Sequence, residues 1–393
     1  MDKPGFLEKS RLMNKRSRLT VMQLLPRLTT GGVERGTIQI AEALVNNGHR
    51  SIILSEGGPL EEELKRTGAE LIKWPIGRKN LGAFFYINKL RDLCLSEKID
   101  IVHARSRLPA WIGRLAISKI KKQLRPIWIT TVHGPYTVGR YSQVMVTGEK
   151  IIAISDFIRE YICTNYKGVC ENKIITIPRG IDERTHYFKF SADEFWQKNW
   201  RREIGPKADL PILTIPARIT RWKGHKDFIE ILKILRNREI PFHGLIVGGA
   251  SKNKTKYKKE LMGEVKNSNI SSSVSFLGER SDLREIMSIS NLVFSVTNVP
   301  EAFGRTTAEA LSLGTPVVGY NHGGTKEIMR DWYPHGLVGV SNILHAANKA
   351  QELLERAQPV PEKNPFTMRK MQDSTIRIYE ELADKKKNAY QVE

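Results

Sequence analysis

The sequence predicts an α/β protein built from two doubly wound domains. Three observations predict it. Short apolar runs bounded by turn residues recur from residue 19 to residue 177, and stretches of helical periodicity separate most of them. After a polar break, the same alternation returns from residue 212 to residue 318. Apolar runs of this kind with helices between them indicate βαβ units and a parallel sheet. At 393 residues the chain is long enough for two or three domains, each able to bury its own core.

Taken in order, residues 1–18 read as a polar, basic tail without the apolar run of a secretion signal. A first domain over 19–180 follows. Its expected strands are 19–25, 51–54, 70–73, 99–103, 127–132, 151–154 and 174–177, with helices at 33–47 and 60–66. Residues 181–207 read as a linker, because the polar, aromatic-studded stretch 179–211 lacks strand character. The second domain, 208–363, has expected strands at 212–215, 244–247, 274–277, 292–296 and 316–318. Helices are expected after Gly224, from Asp282 and after Phe303. The segment 364–393 carries a last amphipathic helix with Met368, Met371, Ile376, Ile378, Tyr379 and Leu382 at its apolar positions.

The 63 Lys and Arg outnumber the 42 Asp and Glu, a net charge of +21. Such an excess acts on binding more than on fold, and suits nucleic acid, an anionic membrane surface or phosphorylated small molecules. No apolar stretch reaches the ~18 residues of a membrane-spanning helix. Cys94, Cys163 and Cys170 have no metal-type spacing, and their odd number argues against a disulfide framework. A cytoplasmic setting is the expectation.

Candidate site residues cluster at strand ends, where doubly wound sheets bind ligands. Gly31 and Gly32 stand between the first strand and first helix, where glycines let a ligand approach free helix amides. The spacing is not that of a dinucleotide fingerprint, since Val33 stands where the second fingerprint glycine belongs. A tight turn without a ligand fits equally well. Gly248 and Gly249 form a second such turn without the Lys-Ser/Thr of a P-loop, and Gly323 and Gly324 a third.

The segment from Pro300 to Leu311 says most. Glu301 lies in a loop at a strand's carboxyl end, and a helix starting near Phe303 or Gly304 would offer its first amides to phosphate oxygens. Glu301 would hold sugar hydroxyls or cap that helix. Glu309, one and a half turns inward, would meet ribose hydroxyls or pair with a neighbouring Arg. Arg218 and Lys223, after the 212–215 strand, place positive charge at the same end of the domain and would clamp a diphosphate. In the first domain His133, before Gly134 and Pro135, ends a strand, where it would either face substrate or serve the fold. No D-x-D, H-E-x-x-H or C-x-x-C is present, so no metal ligands are assigned.

These residues resemble a known family. Glu301-x₇-Glu309 with Phe303, Gly304 and Ala310 is similar to the E-x₇-E segment of retaining glycosyltransferases of the GT-B type, family 4. Arg218, Lys223 with Gly224, Gly278 before Arg280, residues 314–317, and Gly323, Gly324 and Glu327 resemble the rest of its donor domain. Gly31, Gly32, His133, Gly134, residues 151–155 and residues 178–182 resemble its first domain and linker, although many relatives have Asn-Gly where Arg179 and Gly180 stand. The resemblance implies a GT-B fold: two Rossmann-like domains facing a central cleft, acceptor bound by the first and nucleotide sugar by the second. It implies that Arg218 and Lys223 neutralise the diphosphate with amides around Gly304, Arg305 and Thr306 and with Gly31 and Gly32. Glu309 would accept from the ribose, backbone near Arg280 would hold the base, and Glu301 and His133 would position the transferred sugar. The implied transfer keeps the anomeric configuration and uses no metal or resident cofactor, only a nucleotide-diphosphate sugar as co-substrate. The last helix would cross back to the first domain.

Residues 111–122 read as a basic helix carrying Trp111, with Arg105, Arg107 and Arg125 flanking it. This suits either an ordinary surface or an anionic leaflet, and hence a peripheral enzyme on the cytoplasmic face of the inner membrane. The stretch from Thr30 to Gly36 resembles bacterial envelope enzymes acting on lipopolysaccharide core, which implies a glycolipid or glycan acceptor. Two alternatives stand beside this: a nucleotide-sugar epimerase of the same fold, and a basic nucleic-acid-binding protein, for which no helix-turn-helix or aromatic-interleaved basic strand is present.

Overall fold

The computed structural model describes residues 18–78, 81–250 and 255–391, so the expected tail over 1–18 lies almost wholly outside the described residues. The chain divides into two compact units. One comprises 1–154, 158–177 and 370–393; the other comprises 155–157 and 178–369.

In the first unit the described strands are β1 (Thr20–Leu24), β2 (Arg50–Ser55), β3 (Glu70–Lys73), β4 (Ile101–Ala104), β5 (Ile127–Val132), β6 (Lys150–Ala153) and β7 (Ile174–Thr176). They form one parallel sheet in the order β3-β2-β1-β4-β5-β6-β7. The register sets Val21 beside Ser51 on one side and Ile101 on the other. Both faces are covered, which is why β1, β4 and β5 are apolar almost throughout and buried. The last helix, Met368–Gln391, serves this unit from Lys370 onward. Tyr379, fully buried, meets His103 Nδ1 at 2.6 Å, and the other ring nitrogen of His103 meets Thr131 Oγ1 at 2.7 Å. His103 therefore serves the fold, joining β4 and β5 to the closing helix.

In the second unit, β8 (Ile212–Pro216), β9 (His243–Val247), β10 (Val274–Gly278), β11 (Leu292–Ser295), β12 (Val317–Tyr320) and β13 (Leu337–Val338) form a parallel sheet ordered β10-β9-β8-β11-β12-β13. The two-residue β13 and the helix Ile343–Glu355 were not foreseen. In each sheet the strand order reverses at one point, between β1 and β4 and between β8 and β11. Loops leaving the carboxyl ends of strands diverge there and open a crevice.

The expected linker needs correction. Within 181–207 lies the helix Glu194–Ile204, and its Trp200 packs with Ile212, Leu245, Val247 and Ile286 in the second unit's core. Trp196 stacks on Trp200 with ring centroids 5.3 Å apart. Trp196 and Trp200, which made this stretch look irregular, are the helix's packing face, whereas Phe195 is exposed. Residues 364–367 also belong to the second unit, where Ile181 N–H donates to the Phe366 carbonyl and Met368 N–H to the Ile181 carbonyl, each at 2.8 Å.

Candidate active site

A cavity of about 500 Å³ opens at the carboxyl end of the second sheet. Its walls come from the end of β8 and the loop after it (Pro216, Ala217, Arg218, Lys223), the turn after β9 (Gly248, Gly249, Ala250), Glu279 and Arg280 after β10, and Thr306. These elements flank the β8/β11 switch point and its neighbour β9. The volume is of the size that takes a nucleotide-sized ligand.

Local geometry explains why these residues converge. Gly224 sits at φ +77°, and a Cβ there would overlap the Val296 carbonyl. Only glycine lets the loop after β8 turn this tightly against the end of β11. His225 then starts the helix His225–Asn237, fully buried, with Nε2 3.2 Å from the carbonyl oxygen of Ala217. That contact pins the residue preceding Arg218. Burial holds the His225 imidazole down to about 4, so it is neutral and donates at neutral pH.

Lys223 Nζ lies 4.3 Å from the Trp222 ring centroid and forms an ion pair with Glu301. Both side chains are largely buried, at 17% and 20% exposure. The Glu301 backbone is held in turn: its carbonyl accepts the Gly324 N–H at 2.7 Å, and nearby Asn298 N–H donates to the Trp222 carbonyl at 2.9 Å. The lysine and the carboxylate expected to act on one ligand thus meet side by side.

The helix after this loop is Arg305–Ser312, one residue later than expected. Gly304 caps it at φ +88°, ψ +50°, and no side chain caps the first turn. Its amides remain open to an anion on the side where Thr306 lines the cavity. Arg305 Nε donates to Glu309 Oε1 at 2.7 Å, so Glu309 takes the arginine-paired alternative. Phe303 is corrected: it is 6% exposed and packs edge-on against Phe366 at 5.8 Å, so its side chain stabilises the loop and offers no ligand surface. Arg280 lines the cavity, but its guanidinium donates to both oxygens of Asp282 and to Glu203, each at 2.8 Å. These carboxylates keep Arg280 firmly protonated, and the same contact draws the Asp282 carboxyl below its ordinary range. The charge is compensated, which leaves Arg280 a backbone role. Glu279, Leu283 and Ala217 were missed, because nothing in their type or spacing marks them.

In the first unit, Gly31 caps the helix Gly32–Asn46 without a side-chain bond. A Cβ on Gly31 would collide with the Glu34 carboxylate, which accepts from Thr29 Oγ1 at 3.0 Å. A side-chain anion therefore already lies over this helix start. His133 follows β5, half-buried, with its N–H donating to Tyr136 Oη at 3.3 Å. The basic helix expected over 111–122 has other bounds, and several of its flanking cations are engaged within the unit. The helix spans Arg107–Ser118 and Trp111 Nε1 donates to the Tyr141 carbonyl at 2.9 Å. Arg105 is buried on Gln23, Arg107 lies over the rings of Tyr136 and Tyr141, and Arg125 donates to the Ser118 and Ile120 carbonyls.

Comparison with known proteins gives the family and the fold. Residues 30–185 match the family model described as Glycosyltransferase Family 4, and residues 197–365 match the one described as Glycosyl transferases group 1. A glycosyltransferase of Rickettsia africae, solved by crystallography, is 28% identical, with a TM-score of 0.82 over 93% of this chain and 98% of that one. HepE of Anabaena, crystallised with UDP and glucose, shares the fold at 20% identity and TM-score 0.76, over 92% of this chain and 99% of that one. The N-acetyl-alpha-D-glucosaminyl L-malate synthase of Bacillus anthracis is 25% identical over 68% of either chain.

Proposed function

Because the chain belongs to the family 4 glycosyltransferases of the GT-B fold, we propose that it transfers a sugar from a nucleoside-diphosphate sugar to a glycolipid or glycan acceptor, with retention at the anomeric carbon, in the synthesis of lipopolysaccharide core or a related envelope glycan. One observation carries this reading. Arg218, Lys223 and the uncapped helix turn bearing Thr306 line a single cavity at the carboxyl end of the second sheet. Two cations and a helix amide terminus are what a diphosphate requires.

In the resting site Lys223 and Glu301 neutralise each other. An arriving diphosphate competes for the lysine and leaves the Glu301 carboxylate to accept from hydroxyls of the transferred sugar. The base lies along the turn after β9 and the backbone at Arg280. As the glycosidic bond breaks, negative charge grows on the departing diphosphate. Arg218, Lys223 and the amides at Thr306 are already oriented towards it, so stabilising that charge needs little reorganisation. The acceptor attacks from the face the diphosphate leaves, and a phosphate oxygen takes the acceptor proton. No step requires a metal ion. His133 and the Gly31–Gly32 helix start are the first unit's candidates for contacting the transferred sugar and the diphosphate, each tested by its own substitution.

The test is turnover of a panel of nucleoside-diphosphate sugars with glycolipid and glycan acceptors, with the product anomer read by NMR. The expected product carries the donor's anomeric configuration. An inverted product overturns retention, and epimerised sugar formed without an acceptor overturns transfer.

A further inference from the structure

We propose that the second unit holds a second ligand site, a saccharide-binding cavity at the amino end of its sheet, where a neutral sugar ring is held and not converted. The donor cavity opens at the carboxyl end of the same sheet, so the two are separate. The second site does not rest on the transfer reading.

This cavity measures about 410 Å³, within the range of pockets that take small molecules. Its base is the start of β8 and the residue before β11. Asn291 N–H donates to the Ile212 carbonyl and Asn291 Oδ1 accepts the Ile212 N–H, each at 2.8 Å. One wall is the helix Glu194–Ile204, which brings the stacked pair Trp196 and Trp200 to the cavity. Trp196 Nε1 is satisfied, donating to Asp282 Oδ2 at 2.8 Å. Trp200 Nε1 is not: the residue is 5% exposed, and its buried N–H donates to no group among the described residues. A buried donor left unpaired is costly, and a hydroxyl entering the cavity that Trp200 lines supplies the missing acceptor.

The remaining lining selects the ligand. Arg201 and Asp209 pair at 2.7 Å with both side chains well exposed, so an anion drawn to Arg201 meets Asp209 as well. Gln197 uses its Nε2 on the Ala192 carbonyl at 2.7 Å, which leaves Oε1 to accept. Asn291 uses its Oδ1 on Ile212, which leaves Nδ2 to donate. Donors and acceptors therefore alternate around an apolar surface made by the tryptophans, Leu210, Pro211 and Ile289. A sugar ring matches that arrangement, since its hydroxyls both donate and accept while its C–H face is apolar. A phosphate or carboxylate, which only accepts, leaves the Gln197 and Asp209 oxygens without donors.

The test is heteronuclear NMR of the indole N–H resonances of the full chain, titrated with maltose, cellobiose, lactose and chitobiose. A buried indole resonance is expected to move saturably with at least one of these neutral disaccharides. Arg201→Ala with Asp209→Ala, an exposed pair, is expected to weaken that binding at least about tenfold with the melting temperature unchanged. Leu210→Trp, which fills the rim, is expected to do the same. No movement with any disaccharide, or movement that survives both variants, overturns the proposal. So does citrate moving the resonance where the disaccharides do not, which would make this an anion site. A saccharide response that UDP abolishes places the sugar in the donor cavity and overturns it too.

Discussion

Lys223 is the residue on which the proposed donor site turns, since it joins the cavity wall to Glu301. Lys223→Ala is expected to weaken nucleoside-diphosphate binding by about 10- to 100-fold in calorimetry, the cost of losing a charge-assisted contact. Glu301→Gln is expected to do the opposite in binding and harm in chemistry. It releases Lys223, so nucleoside-diphosphate affinity holds or rises, while turnover falls about 100-fold or more and the melting temperature stays put. Unchanged turnover would assign the sugar to another residue. These two were legible in the sequence one at a time, as a cation and a carboxylate at strand ends. Their pairing was not, because 78 residues separate them and only the folded loop joins them. Phe303 was placed in the donor segment for the same reason: sequence shows position, and only packing shows that Phe366 already engages its side chain.

At the level of elements, the tight turn after β8 rests on Gly224. Gly224→Ala is expected to cost about 1–3 kcal/mol in urea unfolding, from the positive φ and the overlap with the Val296 carbonyl. Tyr379→Phe should lower stability by about 1–3 kcal/mol, because it leaves buried His103 without its 2.6 Å partner. A loss near zero would mean that the closing helix is held by apolar contacts alone. Most strands were legible, since a parallel strand covered on both faces is an apolar run that turn residues delimit; β5 and β3 fall where the pattern put them. The two-residue β13 is too short to carry a pattern. The helix Glu194–Ile204 was missed because its buried face is built from tryptophans among charged residues, which read as irregular polar chain until Trp200 is seen in the core.

For the whole molecule, two buried histidines tie stability to pH. Burial lowers both His225 and His243 from 6.5 to about 4. Between those values the unfolded chain binds protons that the folded chain refuses, so stability is full above about 6.5 and falls as pH drops towards 4, by up to about 3 kcal/mol for each group. Thermal melts from pH 7.5 to 4.5 should show this decline, and His243→Gln should flatten it. The arrangement of both sheets and a crevice at their carboxyl ends follow from alternation and switch points alone, which is why they were readable from one sequence. Acceptor identity depends on surface detail that no periodicity encodes. The most direct test of the central claim is a crystal structure with a bound nucleoside diphosphate. It should show the phosphates held by Arg218, Lys223 and the amides at Thr306, with the Lys223–Glu301 pair opened. A diphosphate bound elsewhere, with that pair intact, would contradict the account.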